Sequence, residues 1–137
     1  MNTNKKGDIG LVKVMSDLVT KDYFIFMPLS DTTCVDLVVS NDSMILKKLQ
    51  VKYCKLTDGR MCICTSTVVN GKKIPVDLSK IDILAIYCPD NDKVYYLDTK
   101  ELIGKKTMNL RVIESVTNKN INYASEYESI DKIWKVD

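Results

Sequence analysis

The segment from Cys34 to Lys52 constrains this chain more than any other. Val35-Asp36-Leu37-Val38-Val39 and Ile45-Leu46-Lys47-Lys48-Leu49-Gln50-Val51-Lys52 are rich in aliphatic and β-branched residues, and between them lies the polar break Asn41-Asp42-Ser43. That pattern predicts an antiparallel β-hairpin. With a three-residue loop, Asp42 to Met44, Asp36 falls opposite Gln50, and Lys52 lies one step diagonal on the same face. Val35, Leu37, Leu49 and Val51 collect on the other face, which predicts a core side and a polar patch.

A carboxylate, an amide oxygen and an ammonium on one half-buried patch suit a hard divalent cation. Mg²⁺ takes oxygen ligands and keeps several waters, so Asp36, the Gln50 side-chain oxygen and the Val51 backbone carbonyl form a ligand set. Cation and Lys52 together would offset the charge that a phosphodiester gains during hydrolysis. The competing reading from spacing alone is a solvated polar face on which Asp36 and Lys52 make a surface ion pair of little weight. The chain has no histidine, which excludes Ser-His-Asp and Cys-His arrangements. Catalysis must then draw on carboxylate, lysine and metal.

Read together, Lys6-Gly7-Asp8-Ile9-Gly10, Tyr23 to Pro28, Val35 to Val39 and Leu49-Gln50-Val51-Lys52 resemble the PD-(D/E)XK nuclease superfamily. Within it the chain is most similar to the group I intron homing endonucleases that carry Gln where most members have Asp or Glu. The likeness continues through Ile81 to Tyr87, Val94 to Leu97, Leu110 to Val112 and Asn120 to Ala124, and so spans roughly Lys5 to Tyr127. It implies a restriction-endonuclease-like α/β core, a mixed central β-sheet flanked by helices, with one helix on each side. It further implies Mg²⁺- or Mn²⁺-dependent cleavage of double-stranded DNA. Asp36 is then the metal ligand, Gln50 a neutral ligand or water-orienting group, and Lys52 the residue that positions or polarises the attacking water. One position departs from the pattern: the helix acid usual after the opening Gly is Leu11 here. Asp8, one turn earlier, is the possible stand-in; otherwise it only favours the helix dipole.

Cutting both strands requires two sites, so a homo-oligomer, dimer or tetramer, is implied, and related intron endonucleases are tetrameric. A Holliday-junction resolvase or repair nuclease of the same superfamily would share the chemistry. A DNA-binding module that kept the fold and lost cutting is the reading from a different class.

At 137 residues, 45% hydrophobic and 28% charged, the chain fits one globular domain, 1–137. The sequence contains neither a signal-peptide pattern nor an apolar run of membrane-spanning length, so an intracellular protein without a membrane partner is expected. The net charge of +2 is mild for a nucleic-acid binder, but its lysines cluster at turns and strand ends. Lys6, Lys55, Lys72, Lys73, Arg111 and Lys119 are the candidate DNA contacts, although turn lysines also serve ordinary solubility.

Five cysteines, an odd number lying mostly in strand-like runs, read as reduced thiols. Zinc at Cys54, Cys62 and Cys64 is disfavoured by the C-x-C spacing and the want of a fourth ligand. The rest of the pattern predicts a first helix from Gly7 to Lys21 with Leu11, Val12, Met15, Leu18 and Val19 inward. It predicts strands at Tyr23–Phe26, Met61–Val69, Ile83–Cys88, Lys93–Leu97 and Thr107–Val112, and a polar loop over Lys72–Ser79 with one helical turn. Asp98 or Thr99 caps a short helix stopped by Gly104. A polar loop spans Thr117–Asn122, and Tyr123–Trp134 reads as an amphipathic helix.

Overall fold

The computed structural model describes residues 1–30, 33–113 and 121–134. Helix α1 spans Thr3–Thr20 and begins four residues before the expected start, because Asn2 caps it by accepting the Lys5 N–H at 2.8 Å. Asp8 therefore lies in the second turn, and no acid occupies the first. The helix ends where Asp22 takes a left-handed conformation (φ 65°) and the Tyr23 N–H donates to the Leu18 carbonyl. Its buried stripe is Gly10, Val14 and Leu18, with Leu11 and Met15 packed beside it. Val12 and Val19, expected inward, sit roughly 140–160° around the helix from Val14 at the centre of this stripe and face solvent.

Strands β1 (Phe24–Phe26), β2 (Leu37–Ser40), β3 (Leu46–Tyr53), β7 (Ile83–Cys88) and β8 (Lys93–Asp98) form one mixed sheet in the order β1-β2-β3-β7-β8. The β2–β3 hairpin has the expected register, Leu37 opposite Leu49. Its loop closes through the Met44 N–H to the Asn41 carbonyl at 3.0 Å, with Met44 left-handed at φ 57°. Strand β3 then pairs in parallel with β7, and β7 antiparallel with β8. All six β7 residues are buried, as a central strand covered on both faces requires.

One face of the sheet packs α1: Leu37, Val39, Leu49, Ile83, Ala85 and Tyr96 form a cluster with Val14 and Leu18, joined by Ile130, Ile133 and Trp134. Each such side chain, fully buried, stabilises the fold by roughly 1.5–3 kcal/mol. The other face differs from the expectation of a second helix. It is covered by a two-stranded ribbon of β4 (Arg60–Cys64) and β9 (Thr107–Arg111), whose Met61, Ile63, Met108 and Leu110 meet Leu84, Ile86, Tyr95 and Leu97.

Three other expectations change. The strand drawn from Met61 to Val69 is two strands, β4 and β5 (Ser66–Val69). The loop after Asn70-Gly71 begins as a strand, β6 (Lys72–Pro75), paired with β5, before a 3₁₀ turn at Leu78–Lys80 capped by Asp77. Tyr123–Trp134 is a 3₁₀ segment, Ala124–Tyr127, and a separate short helix α2, Asp131–Trp134, because the first turn hydrogen-bonds as 3₁₀ and is not continued. The loop Thr117–Asn122 lies largely outside the described residues. Among the described residues, no helix is long and apolar enough to cross a membrane.

Helix α1 approaches β3 closely at Gly10, where an added Cβ would meet Val51 Cγ1 at 3.5 Å and Tyr53 Cβ at 3.7 Å. These are ordinary contact distances, so one methyl fits without displacing the helix. Gly10→Ala should raise stability by about 0.5–1 kcal/mol through helix propensity, measurable by urea denaturation. A loss of stability would mean that the α1–β3 contact is tighter than described.

Candidate active site

The hairpin register decides which polar side chains meet. Gln50 and Lys52 alternate with the core residues Leu49 and Val51 along β3, so both project from the face opposite α1. Asp36 precedes β2 and continues its pairing, its N–H donating to the Leu49 carbonyl at 2.8 Å. Its carboxylate Oδ2 in turn accepts the Val51 N–H at 2.7 Å. Asp36, Gln50 and Lys52 are all half-buried, so the solvated-face reading of this patch does not apply.

Burial is the leading electrostatic influence on both charged groups. It pushes the Asp36 carboxyl above its ordinary range, against the Val51 hydrogen bond and the Lys52 charge, which pull it down. It pulls the Lys52 ammonium below its ordinary range, against the opposing influence of Cys64, Asp36 and Cys54. Gln50 donates from Nε2 to the Cys34 carbonyl at 3.4 Å, a long bond, while its Oε1 is buried without a hydrogen-bond partner. An orphaned buried acceptor carries a cost of about 1–3 kcal/mol unless a cation or donor completes it.

These observations bear on the metal. A free carboxylate oxygen on Asp36 and the unpartnered Gln50 Oε1 are hard oxygen donors, and they fit Mg²⁺ or Mn²⁺. No group of three His, Cys, Asp or Glu able to hold a metal exists among the described residues. A site here therefore relies on one acid, an amide and backbone. Val51, anticipated as a carbonyl ligand, contributes its N–H to Asp36.

Two recesses flank the three residues. Asp36 lines one of about 480 Å³ with Leu11, Val35 and the Met27–Ser30 segment. Leu11 thus stands beside Asp36, whereas Asp8 is exposed and does not line that recess. Lys52 lines a second, of about 240 Å³, with Tyr53, Cys54, Cys62, Ile63 and Cys64. The turn after Lys55 already sets Cys62 and Cys64 across from Cys54 in the sequence, but that they also border Lys52 depends on how β4 packs on the sheet. All five thiols are free.

The candidate DNA contacts are dispersed. Lys6 is on α1, Lys55 follows β3, Lys72 and Lys73 lie exposed on β6, and Arg111 ends β9. Lys119 is outside the described residues.

A mixed sheet with an acid before one strand and a Gln-x-Lys on the next is the arrangement of a restriction-endonuclease-like fold. The PD-(D/E)XK endonuclease family profile matches residues 1–130, nearly the whole length, and the chain belongs to that family. Among solved structures it is similar to a bacterial homing endonuclease, I-Ssp6803I, with a TM-score of 0.74, 19% identity, and coverage of 93% of this chain and 88% of that one. No curated protein matches the chain.

Because burial disfavours the Asp36 carboxylate, the native state binds more protons here than the unfolded chain between the ordinary and the raised pKa, and stability falls as pH rises through that window. Asp36→Asn, which keeps an acceptor for the Val51 N–H, should therefore be more stable than wild type at pH 7. That advantage should vanish once the pH drops below the carboxylate range. Thermal melts of both proteins at several pH values test this, and a pH-independent gap would contradict it.

Proposed function

We propose that this endonuclease is a metal-dependent endodeoxyribonuclease that cleaves double-stranded DNA, of the homing type, acting as a single domain. The observation that supports the reading is an Asp36 carboxylate fixed by the Val51 N–H and within the electrostatic reach of Lys52, with Gln50 Oε1 buried and without a hydrogen-bond partner among the described residues. Asp36 and Gln50 would hold Mg²⁺ or Mn²⁺. When bound, such an ion supplies Lewis acidity and positive charge at a phosphoryl centre. The Val51 N–H fixes the Asp36 carboxylate, and the Cys34 carbonyl orients the Gln50 amide. Lys52, whose proton is held less tightly than in water, positions and polarises the attacking water and offsets charge on the phosphoryl oxygens. The protein works as a dimer or tetramer, since each strand needs its own site, and it acts inside the cell.

A second reading has its own support. Leu11 places a hydrocarbon in the recess beside Asp36, where an acid is usual in the family, which favours a protein that binds DNA and no longer cuts it. Plasmid cleavage in Mg²⁺ or Mn²⁺, scored with binding in the same samples, decides between the two. Binding without nicking under either metal would establish the second.

On the nuclease reading, Lys52→Ala should lower cleavage by at least about a hundredfold while leaving salt-dependent binding near wild type. Equal loss of both would make Lys52 a phosphate contact only. Leu11→Glu adds a carboxylate to the Asp36 recess and should tighten Mg²⁺ binding and raise the cleavage rate. Titration calorimetry and single-turnover kinetics read the two effects. An unaltered Mg²⁺ affinity would show that position 11 does not reach the ion.

A further inference from the structure

The β4–β9 ribbon has two unlike faces. Met61, Ile63, Met108 and Leu110 are buried against the sheet. On the outer face the register sets Arg60 opposite Arg111, Cys62 opposite Asn109 and Cys64 opposite Thr107. None of these six is an acid, and neither arginine makes an ion pair among the described residues. Like charges placed directly across a strand pair destabilise it. Arg111 Nε is also buried, without a hydrogen-bond partner among the described residues. Among the described residues the outer face of the ribbon thus carries two arginines without an ion-pair partner and no acid, a face suited to an external anion or acceptor.

This face is continuous with the active site. Cys62 and Cys64 line the same 240 Å³ recess as Lys52, so a ligand on the ribbon lies next to the residue proposed to act on the scissile phosphate. A two-stranded ribbon is also of a size for DNA. Paired strands lie roughly 4.8 Å apart, and the B-DNA major groove, roughly 12 Å wide, admits such a ribbon. Arginine matches the O6 and N7 of guanine, and asparagine the N6 and N7 of adenine. Asn109, exposed at the middle of the ribbon, has only the small Cys62 across from it and is free to reach.

Resting on the endonuclease reading, we propose that the outer face of the β4–β9 ribbon enters the major groove and reads base edges, with Asn109 at its centre and Arg60 and Arg111 flanking it. The ribbon is then the specificity-determining element of the cleavage reaction.

The test is selection from a random-sequence duplex library by the full chain, without divalent metal, for wild type, Asn109→Ala and Arg60→Ala. Asn109→Ala should lose preference at one base pair by about ten- to a hundredfold, while its affinity for unselected duplex and its salt dependence stay at wild-type values. Arg60→Ala should lose a guanine preference at a neighbouring step. In wild type, maleimide labelling of Cys62, mapped by mass spectrometry, should slow several-fold when the selected duplex is added, a readout that needs no variant to fold. An unchanged consensus in both variants, with Cys62 labelled at the free rate, overturns the ribbon proposal and leaves the endonuclease reading standing. Equal weakening for every sequence makes the ribbon a phosphate contact and also overturns base reading. A wild-type chain that enriches no duplex overturns both readings.

Discussion

The loop 41–45 between β2 and β3 sets the geometry on which the site depends. The Asn41 carbonyl accepts the Met44 N–H, the Asn41 side chain accepts the Ile45 N–H at 3.1 Å, and Met44 takes a left-handed conformation that most side chains avoid. With the loop closed in this way Leu37 must face Leu49, and the carboxylate just before Leu37 must face Gln50. A slip by one residue would turn Leu49 and Val51 toward the ribbon and Gln50 and Lys52 into the packing against α1. Because β3 also pairs with β7 and lies under Gly10 of the helix, the same register holds the sheet and its helical layer in place.

The site that results is electrostatically uncomfortable by itself. An acid and a lysine are both drawn toward their neutral forms by burial, and each supports the other's charge only in part. A buried amide oxygen has no donor. Leu11 stands with Asp36 in one recess and offers it no polar partner. Such an arrangement gains when charged groups from outside complete it, which is the condition of a centre that binds metal and phosphate. The ribbon beside Lys52 repeats the theme with two arginines and no acid.

Local features were the most legible in the sequence. The two hairpins, β2–β3 and β7–β8, could be read because each is joined by a short turn and alternates or stays apolar as its burial demands. Asp98 at the start of its 3₁₀ turn and Gly104 at φ 79° just beyond it were readable for the same reason: their chemistry is backbone chemistry. What escaped was held by contacts distant in sequence or lacked a buried face. Lys72–Pro75 read as a loop because it is lysine-rich, ends in proline and is exposed throughout. Pairing with β5 alone makes it a strand. The helical pattern of Tyr123, Tyr127, Ile130 and Trp134 was satisfied by two short pieces, with Tyr127 on one core cluster and Ile130 and Trp134 on the other.

By itself the sequence determined the β2–β3 register, Leu37 opposite Leu49, because strand alternation and a short polar break favour it. It also ruled out histidine chemistry. Only the tertiary structure decided that Leu11 and not Asp8 stands in the recess with Asp36, since that depends on where α1 crosses β3. In the same way it decided that β4 and β9 come together, that Cys62 and Cys64 line the recess of Lys52, and that Arg60 lies opposite Arg111. Spacing along a strand is a local property of the backbone, whereas the neighbours across a packed layer are set by how the whole core closes.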